Sequence, residues 1–509
     1  MSAESKNKKP FVYLVGAGPG RADLITVRGA NAIAAADCII ADKLANPALL
    51  KFARPDAEIV PVPKRIGPGS FTQDAVNRIL LEKAAPGRIV VRLKGGDPCI
   101  FGRAGEELAV LKEHGIEFEI VPGITAAVAA GAYAGIILTD RDYASQIAFI
   151  TGHEAEEKEQ SAINWKALAD FAGTLVFYMG MSNLAEIADR LIQNGLTPDT
   201  PAAVIQSATF PGQRIAMAPL SDIDNRCKAE KIGPPAIVVI GRAADADNAL
   251  NWFMRKPLFG KTILVTRDVP GNAAFAAKII RRGGSPVEFA TIKIRPLTDS
   301  AEFIKTLAQF SKYHWIIFTS VNGVTTFFDA LYALGKDARA FASAKVAAIG
   351  SRTAAHLADF GIKADFVPTV FTGRQLAAQL IARENLQDKR ILLLRSRLAS
   401  SDLPDVLREA AAEVADVPIY TADPANADPA PLFEQITTGR INWLTFASPS
   451  SARIFFEQIS PETVNASKAL VASVGPVTTD CLEGLGVRVD LTAAEHTIDG
   501  LLDAIEGAC

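Results

Sequence analysis

The sequence predicts an α/β protein with parallel sheets, whose two halves are organised differently. In the first half, three glycine-rich segments follow short apolar runs, at residues 16–20 (GAGPG), 95–97 (GGD) and 122–127 (PGITAA). The second half repeats its own sequence at a nearly constant spacing. Strands that end in glycine or small hydroxyl residues and lead into helices are typical of parallel sheets, which bind ligands at these strand ends.

Length and composition indicate a globular protein of several domains. A chain of 509 residues is too long for one core, and 49% hydrophobic with 21% charged residues suits well-packed domains. The formal charge of -3 argues against a nucleic-acid or membrane-surface protein. The five cysteines are scattered, without a C-x-x-C pair, which predicts reduced thiols and no metal site. Because no signal core or spanning apolar run is found, we expect a cytoplasmic protein.

The first half opens with a βαβ pattern. Phe11 to Val15 is a predicted strand, GAGPG follows it, and Asp42 stands at the end of the next strand. A nicotinamide dinucleotide site is one interpretation, since an acidic residue about 20 positions beyond the glycines suits ribose binding. Arg21 occupies the position of the third glycine, which disfavours that interpretation.

The segment VVRLKGGDPCIFGRAGEE, residues 90–107, is the most informative part of the first half. Neither Gly95 nor Gly96 has a Cβ atom, so the backbone can approach a ligand closely, and Asp97 stands beside this opening. Together with the other two glycine-rich strand ends, it predicts one ligand crevice.

These motifs carry a family resemblance. In this order, YLVGAGPG, RLKGGDPCIFGRAGEE, VPGITAA, ILTDRDYA, ITGH and TLVFYMG resemble the S-adenosylmethionine-dependent tetrapyrrole methylases, and among them the uroporphyrinogen-III C-methyltransferases, over about residues 10–243. The resemblance implies two α/β lobes with the methyl donor in the cleft between them, S-adenosylhomocysteine as a product, and a homodimer. A different precorrin methylase is the alternative.

The resemblance also implies specific site residues. The donor-pocket positions are Pro19, Gly95, Gly96, Asp97, Ile100, Thr125, Ala126, Met179, Ala208 and Ala236. Asp42 matches a carboxylate proposed as proton acceptor, and Lys64 a proposed proton donor. The alternative roles are a helix N-cap for Asp42, a solvated surface residue for Lys64 and core packing for Met179. Candidate partners for substrate carboxylates are Arg65, Arg92, Lys94 and Arg103, with surface solvation as the alternative for each.

The second half follows a predicted linker at residues 244–258 and contains an internal duplication. The segments that begin at Lys261, Trp315 and Val346 resemble those at Lys389, Trp443 and Val471, and the members of these pairs lie 128, 128 and 125 residues apart. Small polar residues follow the predicted strands, where parallel sheets bind ligands. They are Thr319, Ser320, Asn322, Thr353, Ser448, Ser450 and Thr478. Helix capping is the alternative role for them.

Residues 259–509 resemble uroporphyrinogen-III synthase through FTSVNGV, AAIGSRTA, VPIYTA, FASPSSA, VGPVTT and HTIDGL. The resemblance implies two lobes, lobe one from about 259–294 and 422–509 and lobe two from about 295–421, and an enzyme without a cofactor. Tyr420 matches a tyrosine proposed to assist departure of the substrate hydroxyl; an aromatic cap on the strand end is its alternative. A non-catalytic tetrapyrrole-binding module is the alternative for this half.

Together the two resemblances imply consecutive reactions on small tetrapyrroles. The second half would close hydroxymethylbilane to uroporphyrinogen III with inversion of ring D. The first half would methylate C2 and C7 of that product to precorrin-2, towards sirohaem or cobalamin. No nucleic-acid or membrane partner is expected.

Overall fold

The computed structural model describes residues 9–62, 73–153, 162–245, 250–341, 344–425 and 428–509. The chain forms two compact units. The first comprises residues 1–262, 279–285 and 509, and the second comprises residues 263–278 and 286–508. Within the described residues, no helix has both the length and the apolar character needed to span a membrane.

The first unit has two lobes, each built on its own sheet. Its strands are β1 (Phe11–Gly16), β2 (Cys38–Ala41), β3 (Glu58–Pro61), β4 (Ile89–Lys94), β5 (Glu117–Val121), β6 (Ile147–Thr151), β7 (Thr174–Tyr178), β8 (Pro201–Gln206), β9 (Arg214–Pro219) and β10 (Ala236–Ile240). Its helices are α1 (Val27–Ala35), α2 (Gln73–Lys83), α3 (Ala104–Glu113), α4 (Ala126–Ala134), α5 (Trp165–Ala169), α6 (Leu184–Gln193) and α7 (Ile223–Ala229). Short 3-10 helices span Ala22–Leu24, Pro47–Phe52, Met181–Asn183 and Arg242–Ala244.

Lobe A contains the sheet β3-β2-β4-β1-β5, in which all neighbours are parallel. Its central strands β1 and β4 are buried along most of their length, as expected for a parallel sheet covered on both faces. Because β4, β1 and β5 are neighbours, their carboxyl ends lie side by side, which places the three glycine-rich segments at one edge.

Lobe B contains the sheet β6-β7-β10-β8-β9, which is mostly antiparallel. Helix α4 packs on this sheet, because Ala127, Ala130 and Ala134 share an apolar cluster with Val176 and Val239. Gly135 ends α4 in the left-handed conformation with φ +73°, which favours glycine at this position.

The predicted linker is partly packed onto the first unit. Phe253 and Leu258 are buried, and the indole Nε1 of Trp252 donates to the carbonyl of Ala132 on α4 at 2.9 Å. The Trp252 ring also contacts Tyr133, with ring centroids 5.0 Å apart. Trp252 and Phe253 therefore attach this part of the predicted linker to α4.

The second unit also has two lobes. Its strands are β11 (Thr262–Val265), β12 (Ser285–Glu288), β13 (Ile292–Pro296), β14 (Trp315–Phe318), β15 (Lys345–Ala348), β16 (Arg390–Ser396), β17 (Glu413–Pro424), β18 (Trp443–Phe446), β19 (Leu470–Ser473) and β20 (Leu491–Thr492). Its helices are α8 (Val269–Arg281), α9 (Ala301–Ala308), α10 (Val321–Ala333), α11 (Ser351–Asp359), α12 (Gly373–Arg383), α13 (Asp402–Glu409), α14 (Ala430–Thr437), α15 (Pro449–Phe456), α16 (Pro461–Ala466), α17 (Pro476–Gly484) and α18 (Ile498–Gly507). Short 3-10 helices span Phe310–Lys312 and Ala338–Phe341.

The strand order confirms the internal duplication. Lobe one contains β12-β11-β18-β19-β20 and lobe two contains β13-β17-β16-β14-β15. By the repeat, β11 and β12 correspond to β16 and β17, and β18 and β19 to β14 and β15, so the shared strands have the same order in both sheets. Each lobe therefore combines the first half of one repeat with the second half of the other.

One pairing departs from the expected parallel pattern of the second half. Strand β13 is antiparallel to β17, with Ile292 opposite Pro424 and Pro296 opposite Tyr420. Strand β13 comes directly after β12 of lobe one and joins the lobe two sheet as its edge strand, where it runs opposite to its neighbour β17. Strands β14, β15, β16 and β17 pair in parallel.

Candidate functional sites

The three glycine-rich loops of lobe A are joined by backbone hydrogen bonds. Gly96 N donates to the carbonyl of Gly18 at 2.8 Å, and Gly18 N donates to the carbonyl of Gly96 at 3.1 Å. The Asp97 carboxylate accepts from Gly123 N at 2.9 Å and from Cys99 N at 2.8 Å. Hydrogen bonds therefore join the three loops into one edge, and the Asp97 side chain bridges two of them.

Close packing of these loops requires glycine at two positions. A Cβ atom on Gly123 would lie 2.2 Å from the carbonyl oxygen of Gly96, and one on Gly16 would lie 2.5 Å from Gly123 N. These distances are too short for any side chain. Glycine is needed at these two positions because the loops pack against each other. This reason is separate from the close approach of a ligand to the backbone that the sequence predicts.

Tyr178 connects the loop edge of lobe A to lobe B. Its hydroxyl lies 2.7 Å from Thr125 Oγ1 and accepts from Ala127 N at 3.2 Å, and the ring of Phe101 stands 5.0 Å from the Tyr178 ring. Burial raises the pKa of Tyr178, although both hydrogen bonds oppose that rise. Tyr178 is not among the residues predicted from the sequence; its position directly before Met179 is the signal that could have found it.

The ten predicted donor-pocket positions lie at this junction. Pro19, Gly95, Gly96, Asp97 and Ile100 come from the loops after β1 and β4, and Thr125 and Ala126 from the start of α4. Met179 follows β7, Ala208 follows β8, and Ala236 begins β10 between them, because Ile237 pairs with Tyr178 and Ala236 with Gln206. Met179 has φ +56° and is 51% exposed, so it does not serve as core packing.

The junction has the chemical character that an S-adenosyl group requires. Exposed apolar side chains of Met179 and Phe101 suit an aromatic base and an alkyl chain. The partly buried backbone of Gly95 and Gly96 and the carboxylate of Asp97 suit polar atoms and a positive charge. Across the described residues, no group of three or more His, Cys, Asp or Glu side chains could hold a metal ion.

Asp42 belongs to a buried network of charges. Arg92 Nη2 donates to Asp42 Oδ1 at 2.5 Å, and Arg92 Nε donates to Glu107 Oε1 at 3.1 Å. Lys94 Nζ and Gln73 Nε2 donate to the same Glu107 oxygen at 2.8 and 3.1 Å. Arg92, Lys94 and Glu107 are buried, whereas the Asp42 side chain is 29% exposed. Asp42 is thus the member that a ligand can reach.

The predicted N-cap role of Asp42 is not found, because Asn46 caps the helical turn Pro47–Phe52. Burial, and after it the charge of Arg92, lowers the pKa of Lys94, while Glu107 opposes this effect. The second carboxylate oxygen of Glu107 has no hydrogen-bond partner. Glu107 is not among the residues predicted from the sequence, although the acidic pair Glu106 and Glu107 at the start of a helix is a signal that could have found it.

A cavity of about 390 Å³ lies beside this network and is lined in part by Asp42, Gln73, Arg92, Lys94 and Arg103. Arg92 and Lys94, expected as partners of substrate carboxylates, are bound to Asp42 and Glu107. Arg103 is exposed and pairs with Glu106 at 2.7 Å. Lys64 and Arg65 lie outside the described residues.

In the second unit, Tyr420 is a buried side chain on β17. It is 7% exposed, belongs to the apolar core of lobe two, and its hydroxyl lies 2.9 Å from Ser320 Oγ. Burial raises the pKa of Tyr420, and hydrogen bonds with Ser320 and Ser396 oppose the rise. Tyr420 does not stand at the strand end, because β17 continues to Pro424.

Ser320 and Ser448 are helix N-caps at equivalent positions of the repeat. Ser320 Oγ accepts from Gly323 N at the start of α10, and Ser448 Oγ accepts from Ser451 N at the start of α15. Ser450 is exposed and lies 3.1 Å from Ser448, measured between their hydroxyl oxygens. Thr319 and Asn322 are partly buried beside Ser320.

Thr353 and Thr478 differ from the expectation that their hydroxyls face a cleft. They are 4% and 3% exposed, inside the first turns of α11 and α17. They are not helix caps either, because Gly350 and Gly475 occupy the N-cap positions. Their side chains point into the packed interior, a direction that the helical phase sets.

Comparison with known proteins agrees with this division. The family model for tetrapyrrole (corrin/porphyrin) methylases matches residues 12–224, and the model for uroporphyrinogen-III synthase HemD matches residues 273–503. The porphyrin biosynthesis protein HemD of Ruminiclostridium josui is 36% identical over 495 residues, which cover 97% of each chain.

Two other relatives match the first half or more. The uroporphyrinogen-III C-methyltransferase of Bacillus subtilis (strain 168) is 38% identical over 380 residues, 75% of this chain and 78% of the relative. The S-adenosyl-L-methionine-dependent uroporphyrinogen III methyltransferase of Methanosarcina barkeri is 46% identical over 230 residues, 45% of this chain and 90% of the relative.

The two units thus define a class of protein in which a tetrapyrrole methylase precedes a uroporphyrinogen-III synthase in one chain. The chain belongs to the family of the porphyrin biosynthesis protein HemD.

Proposed function

We propose that this chain is a bifunctional enzyme of tetrapyrrole biosynthesis. The second half cyclises hydroxymethylbilane to uroporphyrinogen III with ring D inversion and loss of water. The first half methylates that product at C2 and C7 to precorrin-2, towards sirohaem or cobalamin. Two observations carry the proposal. The alignment with the HemD relative covers 97% of both chains, and the methylase model matches the first half of this chain while the synthase model matches the second.

In the first half, we assign the donor pocket to the junction of lobes A and B. S-adenosylmethionine, when bound, supplies an electrophilic methyl group. The loop edge around Gly95, Gly96 and Asp97 holds the donor, and Met179 and Ile100 supply apolar contacts. Positioning is the main requirement of such a displacement.

Asp42 accepts the proton that the macrocycle must lose after methylation. A proton must leave the methylated ring system, and a partly exposed carboxylate beside the cavity can accept it. Arg92 donates a hydrogen bond to Asp42 Oδ1 and orients the carboxylate. Lys64 is proposed as proton donor on the family resemblance.

In the second half, we assign the departure of the substrate hydroxyl to Tyr420. A tyrosine phenol is protonated at neutral pH, and burial raises the pKa of Tyr420 further, so Tyr420 carries a proton that it can give as a general acid. Beside Ser320 and Ser448, the partly buried Thr319 and Asn322 and the exposed Ser450 are proposed to bind substrate carboxylates through hydrogen bonds. We further propose that this half needs no cofactor.

Other features are proposed on the resemblance. They are cytoplasmic residence, a homodimer through the methyltransferase half, and domain limits at 10–243 and 259–509.

The test is to supply hydroxymethylbilane to the purified protein without S-adenosylmethionine, to resolve the cyclised isomers by chromatography, and to repeat the reaction with the donor. Isomer III in the first run and a dimethylated product in the second are expected. Asp97→Asn tests the first half separately. It weakens the hydrogen bond from Gly123 N that joins two loops of lobe A, so the variant should lose methylation and keep formation of isomer III.

Two outcomes would contradict the proposal. If only the spontaneously formed isomer I appears, the second half is not an active synthase, and methylation is then tested on supplied isomer III. If isomer III is left unmethylated while a later precorrin is methylated, the first half is a different methylase.

A further inference from the structure

The hydroxyl of Ser320 has two partners. Its Oγ accepts a hydrogen bond from Gly323 N at 3.0 Å and lies 2.9 Å from the Tyr420 hydroxyl. The first contact caps α10, and the second reaches a phenol on β17, 100 residues away in the chain. Ser320 therefore joins a helix start to the proposed acid of the synthase reaction.

Hydrogen-bond capacity restricts what Ser320 can do. A serine hydroxyl has one donor hydrogen and two acceptor lone pairs. The Gly323 N–H occupies one lone pair and fixes the position of the oxygen at the helix start. The hydrogen and the remaining lone pair are left for the Tyr420 hydroxyl, which packing in the lobe two core also holds in place.

The duplicated half of the second unit provides an internal comparison. Ser448 has nearly the same backbone as Ser320, with φ -163° and ψ 154° against φ -162° and ψ 156°, and it also caps its helix. Its hydroxyl bonds to Ser450 and Ser451 instead of a phenol. At the repeat spacing of 128 residues, Ile292 stands in place of Tyr420. A serine can therefore cap its helix at this position of the repeat without a tyrosine partner.

We propose that Ser320 is a positioning residue for Tyr420, and that it donates its hydrogen to the phenol oxygen as Tyr420 releases its own proton. This inference rests on the proposed synthase activity. The Tyr420 proton passes to the departing hydroxyl of the substrate, and the electrons of the broken C–O bond leave with the oxygen as water. The phenolate is held by Ser320 until the ring carbon that closes the macrocycle returns a proton.

The test compares variants of the full chain in the rate of isomer III formation. Ser320→Gly removes the hydroxyl and keeps a residue that is well tolerated at an N-cap. We expect kcat to fall about tenfold or more, because a hydrogen bond to a developing charge is lost. KM should stay within about twofold. Ser320→Thr retains the hydroxyl and should recover most of kcat.

A double variant separates positioning from direct substrate contact. If Ser320 acts through Tyr420, adding Ser320→Gly to Tyr420→Phe should lower kcat no further than Tyr420→Phe alone. The matched control is Ser300→Gly, which removes another N-cap hydroxyl of lobe two, the one that accepts from Phe303 N at 3.2 Å. The control should keep the parental kcat.

Two results would overturn the inference. One is a rise in KM without loss of kcat in Ser320→Gly. The other is a double variant whose loss equals the product of the single losses, since both results indicate direct contact with the substrate. Failure of the proposed function would look different, because the parent protein would then form no isomer III.

Discussion

The proposed methylation site is built around buried charges, whereas the proposed cyclisation site is built around hydroxyl groups. In the first unit, Glu107 holds Arg92 and Lys94, and Arg92 holds Asp42. In the second unit, Ser320 contacts Tyr420 within an apolar core. A carboxylate that a ligand can reach can accept a proton, whereas a buried phenol, whose pKa burial raises, can give one. The difference follows the opposite proton demands of the two proposed reactions.

The comparison predicts that charge removal is far more damaging than hydroxyl removal. Glu107→Leu would leave Lys94 buried without a carboxylate and Arg92 with Asp42 as its remaining carboxylate partner, which costs about 3–5 kcal/mol of unfolding free energy. We expect the variant to lose methylation and to keep isomer III formation. Both activities are assayed, and denaturation curves on the same samples give the free energy of unfolding.

The matched control for this change is Glu186→Gln, which removes an exposed ion pair with Arg190. It should change the free energy of unfolding by less than about 1 kcal/mol. If both variants lost the same free energy of unfolding, the buried network would contribute no more to stability than an exposed ion pair.

In the second unit, Tyr420→Phe should lower the rate of isomer III formation about 100-fold, because a general acid is removed. Methylation of supplied uroporphyrinogen III should be unchanged. The control is Tyr332→Phe, an exposed position in the same lobe. A Tyr420→Phe protein with the parental rate would remove the phenol from the mechanism.

The loop edge of the first unit gives a third test. Gly123→Ala places a Cβ atom 2.2 Å from the Gly96 carbonyl oxygen and should displace the loops at a cost of about 1–3 kcal/mol. Binding of S-adenosylhomocysteine, followed by calorimetry, should weaken about tenfold or more. Gly105→Ala in α3 has open space around its Cβ position and should bind as the parent does. Unchanged binding by Gly123→Ala would contradict the assigned pocket.

The smallest expected effect concerns pH, and both units contribute to it. Burial raises the pKa of Tyr178 and Tyr420 above the ordinary value of 10.0, so the folded protein keeps protons that the unfolded chain has released. Stability should therefore fall as the pH rises above about 10. In Tyr178→Phe and Tyr420→Phe, urea midpoints between about pH 9 and 11 should fall less steeply than in the parent. Identical slopes would contradict the assignment.

Much of the fold and part of the sites can be predicted from local sequence. The glycines after β1, β4 and β5 mark loops whose conformation depends on neighbouring residues, and the repeat of Trp315 and Trp443 predicts two related lobes. Seven of the ten proposed donor-pocket positions follow these same three strands, whereas Met179, Ala208 and Ala236 belong to lobe B. The composition of each lobe is harder to predict, since it depends on which repeat halves pair.

Only the tertiary structure decided which hydrogen-bond partners the functional groups have. Asp42 meets Arg92, Thr125 meets Tyr178 and Ser320 meets Tyr420 across 50, 53 and 100 residues of chain. Thr353 and Thr478 follow strands as expected, yet the phase of their helices turns them inward. The sequence by itself determined the repeated strands, the loops and the residue types available for chemistry, because these depend on short-range preferences. The protonation and orientation of those residues were decided by packing, because long-range contacts set burial and the nearest charge.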